Sequence, residues 1–408
     1  MSEAKALKSK KKTEEISLRV VRASNWSKEE RDKRIEMLKN QNFSLENLTG
    51  EVAFEDFPSL KGNIENFIGF SQVPTGLAGP VKIEGMNANG EFYVPLATSE
   101  GTLVISINRG LTVINYSGGA KTAVLKERVS RTPYFSFKSV NESLEFSKWV
   151  CDHSEELKAS IQKRTQHGKL CEVEPQILGN KVYLILAYHT ADASGQNMVT
   201  SGSEAVLEEI ARHCPVKPQY AFIEGNLSGD KKATNFSYQR TRGKQVVSEV
   251  LIPKKVCKRL LAVQPEELYR CFHANLIGGV QSGSIGVNGH FANALTALFL
   301  ACGQDVACVS EASVGISNAE VTPEGDFYLS VTLPNMIVGT VGGGCGLPTQ
   351  RECLEIMGCY GSGKSGKFAE ICATAVLAGE ISLLAAVASG NFARAHNIFG
   401  RNRPKELK

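Results

Sequence analysis

The chain has 408 residues, too many for one compact core, so two or three domains are expected on the usual scale of about 100 to 200 residues each. Lys and Arg (46) nearly balance Asp and Glu (42), and the net charge of +4 gives no reason to expect a nucleic-acid partner. Eleven cysteines without a CxxC pair and seven histidines without a spacing such as HExxH argue against a metal site and for reduced thiols in a cytoplasm.

Residues 1–57 are predicted to form a charged tail and a helical segment that is an appendage to the rest. The basic run "KALKSKKK" is typical of a solvated tail rather than of an arm that binds nucleic acid. The helical pattern "SKEERDKRIEMLKNQ" follows, with Ser27 as its N-cap. No apolar secretory segment follows Met1, which also favours a cytoplasmic location.

Strands punctuated by Gly and Pro are predicted from "ENFIGFSQVPTGLAGPVKI" onward, in a large domain that spans 58–132 and 223–398. The first of these two parts contains "PLATSEGTLVISINRG", where Glu100 stands alone between small polar residues and an apolar run. A lone carboxylate that leaves water loses several kcal/mol or has a raised pKa. We therefore expect Glu100 to be buried in apolar surroundings for a chemical purpose.

Residues 133–222 are predicted to be a small α+β domain inserted into the large one. Helix patterns such as "ESLEFSKWVCDHSEELKASIQKR" alternate there with strand patterns such as "KVYLILAYH". The apolar stretch "ICATAVLAGEISLLAAVASG" of the large domain is long enough to span a bilayer, but it carries Glu380 at its middle. It is therefore expected to be a buried core helix, and 399–408 a C-terminal tail.

The predicted fold class is therefore α+β. It combines the helical N-terminal segment, a large domain built around a central buried helix, and a small inserted domain of ferredoxin-like α+β architecture.

One short motif, "GCYGSGKS" at 358–365, fits the Walker A pattern GxxxxGK[ST] of nucleotide-binding P-loops. A working P-loop follows a buried strand, whereas the preceding "TQRECLEIM" carries charge at helical spacing. A flexible surface loop between two helices is therefore the favoured interpretation.

Other short motifs are weak when taken one by one. The glycine cluster "VGTVGGGCGLPTQ" fits a phosphate-binding loop or a structural turn, and the adjacent cations of "GDKKATN" fit a surface loop. Asp305 in "ACGQD" stands at the end of a helix pattern, where a capping role is common, and His396 lies near the C-terminus.

Together these motifs resemble the 3-hydroxy-3-methylglutaryl-CoA reductase family, over about residues 63–403. The resemblance is carried by the following segments, in this order: "ENFIGFSQVPTGLAGPV", "PLATSEGTLVISINRG", "DASGQNMVT", "GDKKATN", "ACGQD", "GTVGGGCGLPTQ" and the histidine-containing tail. The TSEG form around Glu100 is similar to the class I branch of the family. Because the chain lacks the N-terminal membrane spans of animal and fungal members, it resembles a soluble bacterial or archaeal type.

The resemblance implies a four-electron reduction of an acyl-CoA thioester to an alcohol, with two NAD(P)H consumed and CoA released. It assigns Lys231 to the carbonyl oxygen, where negative charge develops, and Glu100 to proton donation. Asp305 would hold Lys231 charged, and His396 would protonate the departing thiolate. It further implies a homodimer, or a dimer of dimers.

The resemblance also implies a cofactor site for NADPH, with NADH as the alternative. Its binding candidates, from "DASGQNM" and "GTVGGG", are Asp192, Asn197, Met198, Gly342 and Gly343. The loop expected at the 2′-phosphate of NADPH is "KRTQHGKL". It has Gln166 where many class I members have arginine, and the candidate substitutes are Lys163, Arg164 and Lys169.

The acyl pocket departs from the family pattern at two positions. Glu224 and Ala274 stand where the family has a serine and a lysine that hold the carboxylate of the substrate, whereas Arg131, Lys232 and Asn293 match. A substrate carboxylate about 4 Å from Glu224 would be repelled by roughly 4 kcal/mol at an effective dielectric of 20.

Several functions therefore stay open. Reduction of 3-hydroxy-3-methylglutaryl-CoA to mevalonate is the leading one, and the same chemistry on another acyl group is the alternative. A P-loop nucleotide-binding protein and a non-catalytic CoA-binding relative are further alternatives.

Overall fold

The computed structural model describes residues 27–165 and 167–390. Its α-helices are, in chain order, α1 Lys28–Lys39, α2 Glu46–Thr49, α3 Leu103–Tyr116, α4 Val140–Asp152, α5 Ser154–Ser160, α6 Gln196–His213, α7 Asn235–Arg240, α8 Lys254–Val256, α9 Pro265–Gln281, α10 Phe291–Ala301, α11 Val309–Ala312, α12 Pro348–Ile356 and α13 Ser365–Ala388. Its strands are β1 Thr75–Gly85, β2 Asn89–Ala97, β3 Ala120–Arg131, β4 Tyr134–Ser136, β5 Lys169–Leu178, β6 Lys181–His189, β7 Tyr220–Phe222, β8 Gly243–Ile252, β9 Ile316–Val321 and β10 Phe327–Met336. The mixed helix-and-sheet class predicted from the sequence is confirmed.

The long strand β3 connects the two parts of the sheet. Along most of its length it is antiparallel to β8, from Lys121 opposite Glu249 to Arg128 opposite Gly243. Its last residues pair with β6 instead, and the strand ends at Arg131. The path continues from β8 through β10 to β9, while β1 pairs with β2 and with the start of β3. Arg131 therefore lies at the junction of the two parts.

The inserted segment has the element order β–α–β–β–α–β, if α4 and α5 are counted as one helical connection. Its strands lie in the order β7-β4-β6-β5, with every pairing antiparallel. This element order and strand order are those of a ferredoxin-like domain. Both predicted patterns appear in it, since "KVYLILAYH" is β6 and the helical stretch before it is α4 and α5.

Helix α13 is the centre of the large part. Most of its 24 residues are buried, and it packs against α3, where Gly110 allows a close approach to the backbone of Ala378. By length and composition alone it could cross a membrane, but 83% of its most apolar window is buried inside the protein. It is the core helix that the sequence predicted.

Three buried carboxylates, Glu352 of α12 and Glu370 and Glu380 of α13, hold other segments of the chain against this core. Glu370 accepts hydrogen bonds from the amides of Asn87 and Ala88, and Glu352 from those of Asn47 and Leu48. No Lys or Arg among the described residues forms an ion pair with any of the three. Backbone and side-chain donors satisfy them instead, as burial of a charge requires.

The N-terminal helices are packed onto the large part rather than detached from it, which corrects the expectation of an appendage. Ser27 caps α1 as predicted, by accepting from the amide of Glu30. Leu38 and Leu45 form a small apolar cluster with Tyr93 and Ile356. The contact of Glu352 with α2 fixes the same segment from the other side.

Candidate active site

Lys231 and Asp305 form the central ion pair of the candidate site. Lys231 Nζ lies 2.7 Å from Asp305 Oδ2, and about two fifths of each side chain is exposed. The hydrogen bond to Asp305, together with its charge, raises the pKa of Lys231 above its ordinary value. Asp305 also caps the turn that follows α10 by accepting from the amide of Ala307, the capping role expected from its position. The contact with Asp305 therefore favours the charged form of Lys231.

The backbone at Lys231 is held in an unusual conformation. Its φ is +56°, a region that side-chain-bearing residues rarely adopt and that costs of order 1 to 3 kcal/mol. Its amide donates to Glu311 Oε1 at 3.3 Å, and that carboxylate is fully buried. Burial raises the pKa of Glu311, although the nearby Arg242 guanidinium opposes this. Strain of this kind concentrates at functional sites, where the surroundings maintain it.

Glu100 and Asn293 form a second pair. Asn293 Nδ2 donates to Glu100 Oε2 at 2.8 Å, and Glu100 is exposed. The prediction that Glu100 lies in apolar surroundings is wrong for the single chain, since the buried run ends at Ala97, where β2 ends. Asn293 is the third residue of α10, and Glu380 fixes the start of that helix by accepting from the amides of Gly289 and His290.

The two pairs lie at opposite ends of α10. Asn293 belongs to its first turn and Asp305 follows its last residue, Ala301. A helix of 11 residues is about 16 Å long, which is far beyond hydrogen-bond reach. Among the described residues, no ion pair joins Glu100 to Lys231. One chain therefore presents two half-sites, each with a carboxylate.

Arg131 lies next to the Lys231 loop and is surrounded by carboxylates. Its Nη1 is 3.3 Å from Glu224 Oε2 and 3.3 Å from Asp230 Oδ2, while Nη2 donates to Thr200 at 3.0 Å. The guanidinium is largely buried, with 11% of the side chain exposed. Its charge is therefore already balanced within the chain.

Glu224 is occupied by contacts within its own loop. Its carboxylate accepts from the hydroxyl of Thr132 at 2.7 Å, from the amide of Asn226 at 2.6 Å and from the hydroxyl of Ser228 at 3.4 Å. The expectation of an added anion that faces the substrate is corrected to that extent, because these donors and Arg131 already surround it. Glu224 shapes the loop that leads to Lys231.

The remaining pocket candidates are exposed. Lys232 Nζ donates to the carbonyl of Asp230 at 3.0 Å. Ala274 lies on the second half of α9, where Ile277 and Val280 are also exposed. Ala274 is therefore not part of the Lys231 surroundings within one chain.

Asp192 fills the amide nest of the Walker-like loop. Its carboxylate accepts from the backbone amides of Gly363, Lys364 and Ser365 at 2.7, 3.1 and 3.0 Å, at the N-terminus of α13. Burial would raise the pKa of Asp192, but these hydrogen bonds together lower it. The loop is thus structured and filled by a carboxylate of the same chain, which corrects the expectation of a flexible surface loop. The predicted helix–loop–helix context is confirmed.

The two candidate cofactor-binding segments, "DASGQNM" and "GTVGGG", meet beside this loop. The amide of Thr340 donates to the carbonyl of Asp192, and a Cβ on Gly339 would lie 2.6 Å from the amide nitrogen of Ser194. Gly342 and Gly343 have positive φ values, and no atom lies within 4 Å of where their Cβ atoms would be. Their backbone is therefore open to a ligand.

The other cofactor candidates surround the same region. Asn197 is exposed at the start of α6, and Met198 packs against Gly168. Of the cations proposed for the 2′-phosphate, Lys169 is exposed and Arg164 pairs with Glu208 at 2.7 Å.

Three predicted positions lie outside the described part of the chain. They are His396, Gln166 and the side chain of Lys163.

Residues that no motif singled out connect these groups. Arg242, fully buried, contacts Glu311, Asp230 and Gln196. A lone charge in an apolar run, the pattern that marked Glu100, also occurs in "ACVSEASVG" and would have marked Glu311. Gln304 had no such signal, yet it accepts from the amide of Gly339 and joins the Asp305 turn to the glycine segment.

Comparison with known proteins gives a consistent result. A family model described as hydroxymethylglutaryl-coenzyme A reductase matches residues 28–401. A Pyrococcus abyssi protein named 3-hydroxy-3-methylglutaryl-coenzyme A reductase is 46% identical over 346 residues, which are 83% of this chain and 85% of the relative. A Methanocaldococcus jannaschii protein of the same name is 43% identical over 350 residues, which are 84% and 86% of the two chains.

The fold is also similar to that of a solved structure. It is titled the class II 3-hydroxy-3-methylglutaryl-CoA reductase from Streptococcus pneumoniae bound to NADPH in open conformations. The TM-score is 0.71, and the match covers 87% of this chain and 96% of that one at 19% identity. At this identity the similarity concerns the fold alone.

Proposed function

Because the chain belongs to the hydroxymethylglutaryl-coenzyme A reductase family, we propose that it reduces 3-hydroxy-3-methylglutaryl-CoA to mevalonate and free CoA. The balanced reaction consumes two NADPH and two protons and passes through a thiohemiacetal and an aldehyde. The observation that carries the proposal is the Lys231–Asp305 pair on a strained loop, next to the two segments that are the cofactor candidates.

Lys231 is suited to stabilise the carbonyl oxygen as negative charge develops on it. Its ammonium is fixed by Asp305 and remains exposed enough to reach a substrate. A preorganised cation at such an oxygen contributes more than the same cation in water, because it needs no reorganisation during the reaction. Glu100 is the candidate proton donor to that oxygen, and Asn293 orients it. His396 is assigned, by its motif alone, to the thiolate of CoA.

The glycine segment fits the NADPH that the family uses. Gly342 and Gly343 have positive φ values, and the open space beside them leaves their backbone accessible to the cofactor, whereas side chains at these positions would occupy that space. Asn197 and Met198 would form the opposite wall, and Asp192 would hold the wall in place through the 363–365 amides. When bound, NADPH supplies the hydride for each of the two reductions.

A groove of about 1440 Å³ fits the CoA part of the substrate. It runs between the N-terminal helices and the outer face of α3, and apolar side chains form much of its wall. Arg31, Arg34, Arg109 and Arg259 also line it and suit the phosphates of CoA.

A second copy of the chain is needed to complete the site. Within one chain the Glu100 and Lys231 half-sites are separated by the length of α10. The second half of α9 exposes Ile277 and Val280 around two open glycines, and Ile68 is fully exposed. An apolar helix end of this kind is suited to an isologous contact, in which both subunits use the same surface patch. We therefore propose a homodimer whose partner chain brings the two half-sites together.

The acyl pocket is proposed to accept a carboxylate, but to hold it less firmly than the family pattern does. The repulsion expected between Glu224 and a substrate carboxylate is reduced, since Glu224 is surrounded by hydrogen-bond donors of its own loop. Ala274 still supplies no cation from α9. Reduction of an acyl-CoA without a carboxylate is the second candidate, and Ala274 is the observation that favours it.

We propose the class I branch for this chain because its TSEG segment resembles that branch, and its free cysteines together with the burial of α13 favour a soluble cytoplasmic enzyme. The P-loop alternative loses its support, because Asp192 occupies the amides a phosphate would need. The non-catalytic alternative is disfavoured, because Glu100, Lys231, Asp305 and His396 are all present.

The deciding experiment is an assay of the purified protein with NADPH or NADH and a panel of acyl-CoAs. Loss of cofactor absorbance and release of free thiol would be followed together. We expect 3-hydroxy-3-methylglutaryl-CoA to consume two NADPH per thiol released. Reduction of none of the panel would contradict the proposed function, and reduction of a neutral acyl-CoA alone would favour the second candidate.

A further inference from the structure

Arg242 occupies an unusual position between the cofactor segment and the Lys231 loop. Its side chain is fully buried, and Nη1 lies 2.7 and 2.9 Å from the two oxygens of Glu311. Nη2 lies 3.0 Å from Asp230 Oδ1 and donates to Gln196 Oε1 at 2.9 Å. Gln196 is the first residue of α6, inside the "DASGQNM" segment. One guanidinium therefore contacts three separate elements.

The backbone is bent to aim this side chain inward. Thr241 and Gly243, on either side of Arg242, have φ values of +69° and +96°. A Cβ on Gly243 would collide with the carbonyl of Met336, so only glycine fits there. The amide of Arg242 is held by Asn335 Oδ1 at 2.9 Å. The positive φ of Thr241, which costs conformational energy, and the glycine required at position 243 thus serve the placement of one buried cation.

Stability alone does not account for this arrangement. Replacement of a buried ion pair by apolar residues is often neutral or stabilising, because desolvation offsets the attraction. Within residues 27–165 and 167–390, Arg242 Nε moreover has no hydrogen-bond partner, which adds to the cost of burial. A costly buried group that contacts two functional segments is better explained by what it positions.

The contacts of Arg242 lead directly to the groups that act on substrate. Glu311 also accepts from the amide of Lys231, and Asp230 precedes Lys231 in the chain. Arg242 therefore holds the Lys231 loop at two points and the cofactor helix at a third. A planar guanidinium fixes the angles between its partners, which a lysine ammonium does not.

We propose that Arg242 is a positioning residue that sets the spacing between the Lys231 ammonium and the N-terminal end of α6. The inference rests on the proposed function, because it takes Lys231 to act on the substrate and α6 to bind the cofactor. A misplacement of about 1 Å between reacting groups lowers a rate up to about 100-fold, which gives such a residue a large effect without contact with substrate.

The test compares Arg242→Lys, Gln196→Ala and the double variant with wild type. Arg128→Lys is the matched control, since Arg128 is also nearly buried and paired with one carboxylate, Glu172, at 2.9 Å. We expect kcat to fall at least about tenfold in Arg242→Lys and in Gln196→Ala, with a smaller change in the KM for acyl-CoA. Both kinetic constants should stay at the wild-type value in the control. The double variant should lose no more than Arg242→Lys alone, because Gln196 acts through Arg242.

Amide hydrogen exchange of the ligand-free proteins provides a readout that does not need activity. Gln196→Ala should accelerate exchange at 228–232, a segment with which Gln196 forms no hydrogen bond in the described part of the chain, and Arg128→Lys should leave it unchanged. Unchanged exchange there, or losses of kcat that simply add in the double variant, would overturn the proposal. Absence of reductase activity in wild type would contradict the proposed function instead, and the exchange result would still decide whether Arg242 couples the two segments.

Discussion

Lys231 is tied to its surroundings at both ends of the residue, by Asp305 at the ammonium and by Glu311 at the backbone amide. Asp305 begins the turn before α11 and Glu311 lies within α11, so the cation is fixed by one short stretch of chain. Lys231 therefore has little freedom to follow a substrate.

Lys231→Ala is expected to abolish turnover while the protein folds and still binds acyl-CoA. Loss of a preorganised group at the developing oxyanion costs about 100-fold or more in kcat. Steady-state kinetics and equilibrium binding of CoA thioester would separate the two effects. Lys231→Arg serves as control, because it keeps the charge with altered geometry and should retain partial activity. Wild-type rates in Lys231→Ala would remove this residue from the mechanism.

Complementation between inactive subunits is the test of the two half-sites. Lys231→Ala and Glu100→Gln would each be inactive alone, and mixed dimers would contain one intact site of two. Random mixing should restore about a quarter of the wild-type activity if the partner chain joins the half-sites. Mixing Lys231→Ala with Asp305→Ala should restore nothing, since that pair lies within one chain. A fully active monomer in sedimentation would contradict the dimeric site.

Lys364→Ala should change kcat and both KM values less than about twofold, as surface substitutions do. In a functional P-loop this lysine would contact phosphate, whereas here only its backbone amide is used, by Asp192. ATP binding measured by calorimetry is the direct check. Binding of ATP that disappears in Lys364→Ala would show that the loop is a nucleotide site after all.

Asp192→Asn should lower the free energy of unfolding by an amount that depends on pH. The folded-state pKa of Asp192 is lowered, so its contribution is fully present above the unfolded pKa of about 4 and is lost as pH falls through the folded value. Because Asp192 is partly exposed, we expect a difference of only about 1 kcal/mol in the free energy of unfolding at pH 7. Urea unfolding at pH 7, 5 and 3.5 should show that difference shrinking in the most acidic buffer.

The control for this series is Glu324→Gln, on the exposed turn between β9 and β10. It should match wild type at every pH. A difference for Asp192→Asn that stays constant down to pH 3.5 would mean that its carboxylate does not supply the stability ascribed to it.

Ala274→Lys should lower the KM for 3-hydroxy-3-methylglutaryl-CoA by about 10- to 100-fold, the value of a hydrogen bond to a charged group. The site is exposed, so the change adds a cation without loss of a contact. Ala274→Gln, of similar size and no charge, should have little effect. An unchanged KM in Ala274→Lys would show that α9 does not reach the acyl carboxylate.

The companion variant to Ala274→Lys is Glu224→Ser, which introduces the residue that the family has at this position. It should lower kcat rather than KM, because the carboxylate organises its loop through Thr132 and Asn226. A KM for 3-hydroxy-3-methylglutaryl-CoA that rises in the double variant Glu224→Ser with Ala274→Lys would mean that the pocket is differently arranged.

Local sequence patterns predicted the elements well wherever neighbouring residues alone carry the signal. The apolar run "KVYLILAYH" is β6, and the Ser27 cap begins α1. The position of α13 could also be predicted, because a continuous apolar run with one central carboxylate suits a core helix better than a membrane span. Such signals need only neighbouring residues.

The arrangement of the site depends on partners distant in sequence, and it was predicted less well. The residues around Glu100 in the sequence are typical of a buried position, yet Glu100 follows the end of β2 and is exposed in one chain. Arg242 has no pattern of its own, since its partners Gln196 and Glu311 come from other parts of the chain. Resemblance to a family supplied the candidate positions, but not these contacts.

The buried carboxylates of α12 and α13 also determine when the protein can fold during synthesis. Glu352 binds α2 at a residue 305 positions earlier in the chain, and Glu370 binds the turn between β1 and β2, 283 positions earlier. Ser382 is hydrogen-bonded to Ser106, 276 positions earlier. The N-terminal half therefore leaves the ribosome with these segments unanchored and the apolar face of α3 uncovered until α13 is made. Contacts this distant in sequence form slowly and leave apolar surface open to aggregation. Nascent chains of this enzyme should accordingly depend on chaperones until α13 emerges from the ribosome.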